Sequence, residues 1–155
     1  MIKCPVPSAP AVQRHEEGCL RLTIANNIKG LAESLDQLNG FLKSTGASPK
    51  LAYAASLALE ELVSNTIKYG YDDGDQHHID LVFRMGPPAV MTIEDNGRPF
   101  NPLVDAPLPD LHVGAEGRPI GGLGLHIVRT LAASLNYRHV DGLNRVNIVF
   151  SRDSP

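Results

Sequence analysis

The chain has 155 residues, 43% of them hydrophobic and 20% charged, enough for one domain that buries about two thirds of the surface its unfolded chain exposes. That composition excludes a disordered, collagen-like or disulfide-framework chain. A net charge of -3, from 14 basic and 17 acidic residues, argues against a polybasic surface for nucleic acid or anionic lipid.

Residues 1–17 hold Pro5, Pro7 and Pro10 and then Arg14-His15-Glu16-Glu17, with no period that would bury a face, and read as a mobile tail. A single domain is expected over residues 18–155. Cys19 to Ala25 alternates apolar and polar side chains beyond its start, the pattern of a half-buried strand. Asn26 or Asn27 then caps a helix whose stripe is Ile28, Leu31, Leu35, Leu38, Phe41 and Leu42. Ser48 and Pro49 supply a cap and a first helical position for a second helix. It runs to about Tyr69, with Leu51, Ala55, Leu59, Leu62, Val63 and Ile67 on its apolar face and Gly70-Tyr71-Asp72-Asp73-Gly74 ending it.

Two strands, 78–85 and 89–94, flank the turn sequence Gly86-Pro87-Pro88. Residues 97–124 contain six of the 14 glycines and five of the 12 prolines, so they read as a long functional loop. Leu123, Ile127, Val128, Leu131 and Leu135 mark a third helix. Strands 136–140 and 145–150 close the chain around Asp141-Gly142. The sum is an α/β two-layer sandwich, a mixed and largely antiparallel sheet with helices on one face.

No segment approaches the ~18 uncharged apolar residues of a membrane helix, and Met1 to Pro7 lack the apolar core of a signal peptide. Cys4 and Cys19 show no ligand spacing, which points to a reducing, cytoplasmic setting.

Three patches carry polar residues suited to chemistry. Glu61, Asn65 and Lys68 fall at i, i+4 and i+7 and project from one helical face, so a carboxylate, an amide and an ammonium can meet one ligand. Spacing alone favours the plainer reading, a solvated face of an amphipathic helix. Asp95-Asn96-Gly97 follows an apolar strand. It is either ordinary turn chemistry or a carboxylate aimed into a crevice beside backbone that a flat ligand can approach. Gly121-Gly122-Leu123-Gly124-Leu125-His126 precedes a helix, where unblocked N–H groups and the positive end of the helix dipole suit a phosphate, or where a lid simply hinges. It is neither a dinucleotide fingerprint nor a P-loop.

The three patches in this order resemble the Bergerat-fold (GHKL) ATP-binding superfamily shared by gyrase, histidine kinases and the MutL mismatch-repair proteins. Within it, the nearest likeness is to bacterial anti-sigma-factor serine kinases of the RsbW type, and it spans about Cys19 to Phe150. The resemblance implies Glu61 as general base, Asn65 as magnesium ligand and nucleotide contact, and Lys68 as a phosphate contact where the family often has His. It carries Asp95 over as acceptor for the adenine amino group and Gly97 as the close backbone approach. Gly122, Leu123 and Gly124 fall at the phosphate-binding end of an ATP lid spanning about 98–121. Pro99 replaces a glycine of many members but suits the small-kinase branch.

The supporting hydroxyl expected from a late strand is not evident, and Asn147 is the nearest polar candidate. Arg98, Arg118 and His126 are lesser candidates for phosphate.

By the same resemblance, the cofactors are ATP and Mg2+ and the activity is serine/threonine phosphorylation of an anti-sigma-factor antagonist. A sigma factor is an open second partner, a homodimer is implied, and neither nucleic acid nor membrane is engaged directly. A non-catalytic, ATP-dependent binding module stays open. A histidine-kinase fragment is disfavoured, because the residues before the first strand leave no space for a helical hairpin bearing a phosphoacceptor His.

Overall fold

A computed structural model describes residues 17–105 and 123–152. The elements run β1 (Cys19–Ala25), α1 (Ile28–Ser44), α2 (Pro49–Tyr69), β2 (His78–Arg84), β3 (Val90–Asp95), α3 (Leu123–Leu131), β4 (Ala132–Val140) and β5 (Leu143–Phe150). The expected tail lies outside the described residues except for Glu17, as does most of the expected lid.

Both long helices start where local chemistry satisfies an unpaired N–H. Asn27 accepts from Gly30 N at 2.8 Å and Ser48 accepts from Leu51 N at 3.1 Å, with Pro49 following at the first helical position. Neither helix has an acidic residue in its first turn, but each has a lysine in its last, Lys43 and Lys68, at the negative end of the helix dipole. Their apolar stripes do the rest: Leu38, Ala55, Leu59 and Val63 have no exposed surface. Truncating one such leucine costs about 2–5 kcal/mol, since the cavity adds to the lost transfer free energy.

The five strands form one sheet in the order β1-β2-β3-β5-β4. Every pairing among the described residues is antiparallel, so the mixed sheet expected from the sequence is here wholly antiparallel. Because strand side chains alternate faces, the register fixes which residues meet the helices. Leu20, Leu22 and Ile24 of β1, Ile79, Leu81 and Phe83 of β2, Met91 and Ile93 of β3, and Val146, Ile148 and Phe150 of β5 form the buried face. Two polar residues share that parity, Asp95 at the end of β3 and Asn144 opposite it on β5.

One boundary departs from expectation. Leu135 has the right spacing to extend α3, yet the helix ends at Leu131 and the chain enters β4 at once. Leu135 pairs with Ile148 and packs against the core from the sheet. A nine-residue helix is marginal on its own, whereas β4 gains a ladder against β5 that is continuous from Ser134 to Val140. That hairpin turns at Asp141-Gly142, both at positive φ (54° and 78°), the conformation whose twist suits a two-residue hairpin.

Cys19 is buried and disulfide-bonded, where the sequence reading expects a reduced thiol. Among the described residues no helix is long and apolar enough to cross a membrane.

Candidate functional site

At the carboxyl end of β3, a cleft opens between the sheet and α2. Leu62, Thr66 and Gly70 of α2, Ile93 and Asp95 of β3, Phe100 and Pro102 of the following segment, and Asn144 and Val146 of β5 enclose about 340 Å³, part of it open to solvent. Apolar walls with a few fixed polar groups are the usual make-up of small-molecule sites. The Thr66 hydroxyl donates to Leu62 O at 3.0 Å, so the helix side of the slot is apolar in character. Tyr69 packs on Phe100 with ring centroids 5.5 Å apart, closing the loop side.

Asp95 is the charged group of this cleft, 8% exposed. Its Oδ1 accepts from Gly97 N and from Asn144 Nδ2, both at 2.9 Å. Oδ2 has no hydrogen-bond partner among the described residues. One oxygen is thus used to fix the carboxylate and the other is left for a ligand donor.

Asn144, 4% exposed, organises the rest. Its Nδ2 also reaches Arg98 O at 2.9 Å and Gly97 O at 3.2 Å, three acceptors for two hydrogens. Its Oδ1 faces donors: Tyr137 hydroxyl at 2.5 Å, Phe100 N at 3.4 Å and His139 Nδ1 at 3.1 Å. Acceptors on one side and donors on the other fix the amide's orientation. Asn144 thus fixes Asp95 from the late strand, whereas Asn147 does not reach it. Asn147 lies three residues on, hence on the opposite face of the sheet, where it accepts from Thr92 Oγ1 at 2.9 Å. The signal was available in the sequence: Asn144 stands in period with Val146, Ile148 and Phe150, so it is a polar side chain at a core position.

Gly97 is tighter than the sequence suggests. A Cβ there would lie 2.6 Å from Gly70 O and 2.9 Å from Asp95 Oδ1. The missing side chain therefore lets this loop dock on the end of α2, rather than simply admitting a flat ligand. Arg98, a lesser phosphate candidate, donates from its backbone N to Gly70 O at 2.9 Å and from Nε to Tyr69 O at 2.5 Å, onto the same helix end.

The second group lies on the adjoining stripe of α2. Asn65 is 7% exposed, yet its side-chain amide makes no hydrogen bond among the described residues, and none of its polar atoms is sealed from solvent. Glu61 is partly buried against the start of α3. A Cβ on Gly124 would come within 2.3 Å of its Oε1, so only glycine permits this approach. Gly124 is buried, Leu123 is 40% exposed and His126 is exposed. Lys68 is exposed on the helix surface without an ion pair among the described residues. Gly122 and Arg118 lie outside the described residues. The predicted residues therefore separate into an apolar cleft at Asp95 and Gly97, and a polar row in which Glu61 meets Gly124.

Beside the cleft, the turn after α2 is held by stacked rings. Tyr71 lies over His77 at 4.2 Å and donates its hydroxyl to Asn96 Oδ1 at 3.4 Å. Burial first, and then the charge of Asp95, push its hydroxyl up to about 12. Burial likewise raises Tyr137. Asp73 is held below its ordinary value by the Asp75 N–H and then by His77, whose Nε2 lies 2.7 Å away.

A match to the family model for the histidine kinase-like ATPase domain spans residues 24–150, the segment that supplies every described part of this cleft. The chain belongs to that family. Among curated proteins, this ATPase domain is 28% identical over 102 residues to the serine/threonine-protein kinase BtrW of Bordetella bronchiseptica, covering 65% of the chain and 71% of the kinase. Among solved structures, it matches the crystal structure of the RsbU and RsbW domains of a Mycobacterium tuberculosis protein, with a TM-score of 0.59 and 16% identity. The alignment covers 85% of the chain and 32% of that solved chain, and it supports the shared two-layer fold. The Bergerat-type resemblance read from the sequence thus stands.

Chemically, the residues of the ATPase domain fit a magnesium nucleotide. A carboxylate with one unengaged oxygen suits an exocyclic amino group in an apolar slot, and an unengaged amide oxygen suits a hard cation that keeps most of its own waters.

Proposed function

We propose that the chain is an ATP-dependent serine/threonine protein kinase. The observation that carries this reading is Asp95, anchored through Oδ1 and open through Oδ2 at the end of an apolar slot. In this reading Asp95 accepts from the adenine amino group, and Gly97 lets the loop after it dock against the end of α2. Asn65 contributes an amide oxygen to magnesium, which neutralises phosphate charge during transfer. Lys68 and the backbone of Gly122, Leu123 and Gly124 serve the phosphates.

Glu61 stands one helical turn before Asn65, so it can accept the proton of a serine hydroxyl. The serine oxygen takes the γ-phosphoryl group as the bond to the ADP leaving group breaks, and the proton stays on the Glu61 carboxylate. The likeness to the serine/threonine-protein kinase BtrW supports the kinase activity, and the motif resemblance to RsbW-type kinases favours an anti-sigma-factor antagonist as the serine substrate, in a partner-switching system with a homodimeric kinase. A sigma factor fits as the second protein partner.

Calorimetric titration with ATP and ADP, with and without magnesium, tests the reading on wild type, Asp95→Ala and Asn65→Ala. Asp95→Ala should abolish adenine-nucleotide binding, and Asn65→Ala should remove its magnesium dependence. Unchanged binding in either variant overturns that assignment. Glu61→Gln should retain nucleotide while losing phosphotransfer. If that variant keeps every partner response, the chain is an ATP-dependent binding module instead.

A further inference from the structure

We propose that Arg98 is a positioning residue for phosphoryl transfer, fixing how far the adenine cleft stands from the Glu61–Asn65 row along α2. The inference rests on the nucleotide reading above. The last carbonyls of an α-helix have no partner within the helix. Here, two of them at the end of α2 are taken by one residue of the loop that follows Asp95: Tyr69 O by Arg98 Nε at 2.5 Å and Gly70 O by Arg98 N at 2.9 Å. A guanidinium is well placed at this negative end of the helix dipole.

Arg98 is held from the other side as well. Its carbonyl accepts from Asn144 Nδ2 at 2.9 Å, the same amide that fixes Asp95. Arg98 therefore sits between the group that sets the carboxylate and the helix that carries the polar row. At 1.5 Å per residue, Asn65 and Glu61 lie about 6 and 12 Å up the axis from Tyr69. A slip of the helix at its end reaches both of them nearly undiminished. Misplacing reacting groups by about 1 Å is enough to cost on the order of a hundredfold in rate.

The side chain can be separated from the backbone contact. Arg98 is exposed, so truncation opens no core cavity. Arg98→Ala keeps the N–H to Gly70 O and deletes only the bond to Tyr69 O. Arg98→Lys restores a charged donor of similar reach.

Three readouts on wild type, Arg98→Ala and Arg98→Lys decide the matter, with thermal melts to establish folding. Adenosine affinity, measured without magnesium, should change by less than about twofold in Arg98→Ala. Magnesium-ATP affinity and the rate of ATP hydrolysis should fall by about tenfold, the loss of one charge-assisted hydrogen bond. Arg98→Lys should recover most of both. Amide exchange in the last turn of α2, measured without ligand, should be faster in Arg98→Ala and restored in Arg98→Lys. Equal losses of adenosine and magnesium-ATP affinity would place Arg98 in the adenine loop alone and overturn the proposal, as would no change in either. Wild-type protein that binds no magnesium-ATP would instead overturn the nucleotide reading, and with it this one.

Discussion

Asn144→Ala is the substitution that the geometry makes most costly for its size. The side chain is buried and spends both amide hydrogens on Asp95 Oδ1, Arg98 O and Gly97 O, while its oxygen takes the Tyr137 hydroxyl at 2.5 Å. A hydrogen bond to a charged group is worth about 1.5–3 kcal/mol and an ordinary one about 1 kcal/mol, and an orphaned partner adds its own desolvation cost. Alanine should therefore destabilise the fold by about 3–4 kcal/mol. In a domain of this length each kcal/mol moves Tm by about 2–4 °C, so the melting point should fall by about 10 °C. Urea unfolding followed by circular dichroism measures the free energy directly. Asn144→Asp, which sets a second carboxylate against Asp95, should cost more than alanine at pH 7. Part of that difference should return on acidification, as one of the pair takes a proton. A loss below about 1 kcal/mol for Asn144→Ala would refute the reasoning, because it would mean the amide's contacts contribute nothing net.

Two glycines should respond differently to the same added methyl. Gly97→Ala meets the backbone carbonyl of Gly70 at 2.6 Å, and with no easy relief it should cost about 2 kcal/mol or more of unfolding free energy. Gly124→Ala meets the Glu61 side chain first, a flexible group rather than backbone. Stability should change by less than about 1 kcal/mol while ATP turnover drops, and parallel melts and turnover assays separate the two. Tyr71, whose hydroxyl is pushed up to about 12 against an ordinary 10.0, contributes stability that is complete below pH 10 and lost as pH rises through 12. Ultraviolet titration should show this late phenolate and Tyr71→Phe should remove it. The lowered Asp73 carboxyl acts at the opposite end of the scale: its contribution is present above its ordinary value of 3.8 and disappears as pH falls below it. The stability gap between wild type and Asp73→Asn should accordingly be flat near neutrality and close in acid.

What the sequence makes legible follows from how local each cause is. Asn27 and Ser48 cap their helices through bonds to residues three positions away, so α1 and α2 can be placed from short-range chemistry. The alternation in β1, β2 and β3 likewise marks their buried faces. Leu135 misleads because its spacing from Leu131 fits a helix, and only the ladder to β5, closed by a distant strand, decides otherwise. Asp95 and Gly97 stand out as a motif, but their reasons are tertiary: Asp95 is oriented by Asn144, and Gly97 is pressed on Gly70. Asn147 is the nearest polar candidate by sequence, yet register sets it on the face of the sheet away from Asp95, and Asn144 is the residue that meets that carboxylate.

The side-by-side stripes of α2 have a consequence for how this chain can vary in length. Leu62, Thr66 and Gly70 line the cleft, and Glu61, Asn65 and Lys68 follow the adjoining row. One extra residue turns everything beyond it by about 100°. An insertion ahead of Ala54 would leave both rows in phase with each other and disturb chiefly the packing against α1. Placed between Glu61 and Asn65, the same insertion would divorce the carboxylate from the amide and turn the wall of the cleft toward solvent. Length changes between related chains should therefore collect before α2 or after Gly70, and the ten positions from Glu61 to Gly70 should hold a fixed count even where their residues change.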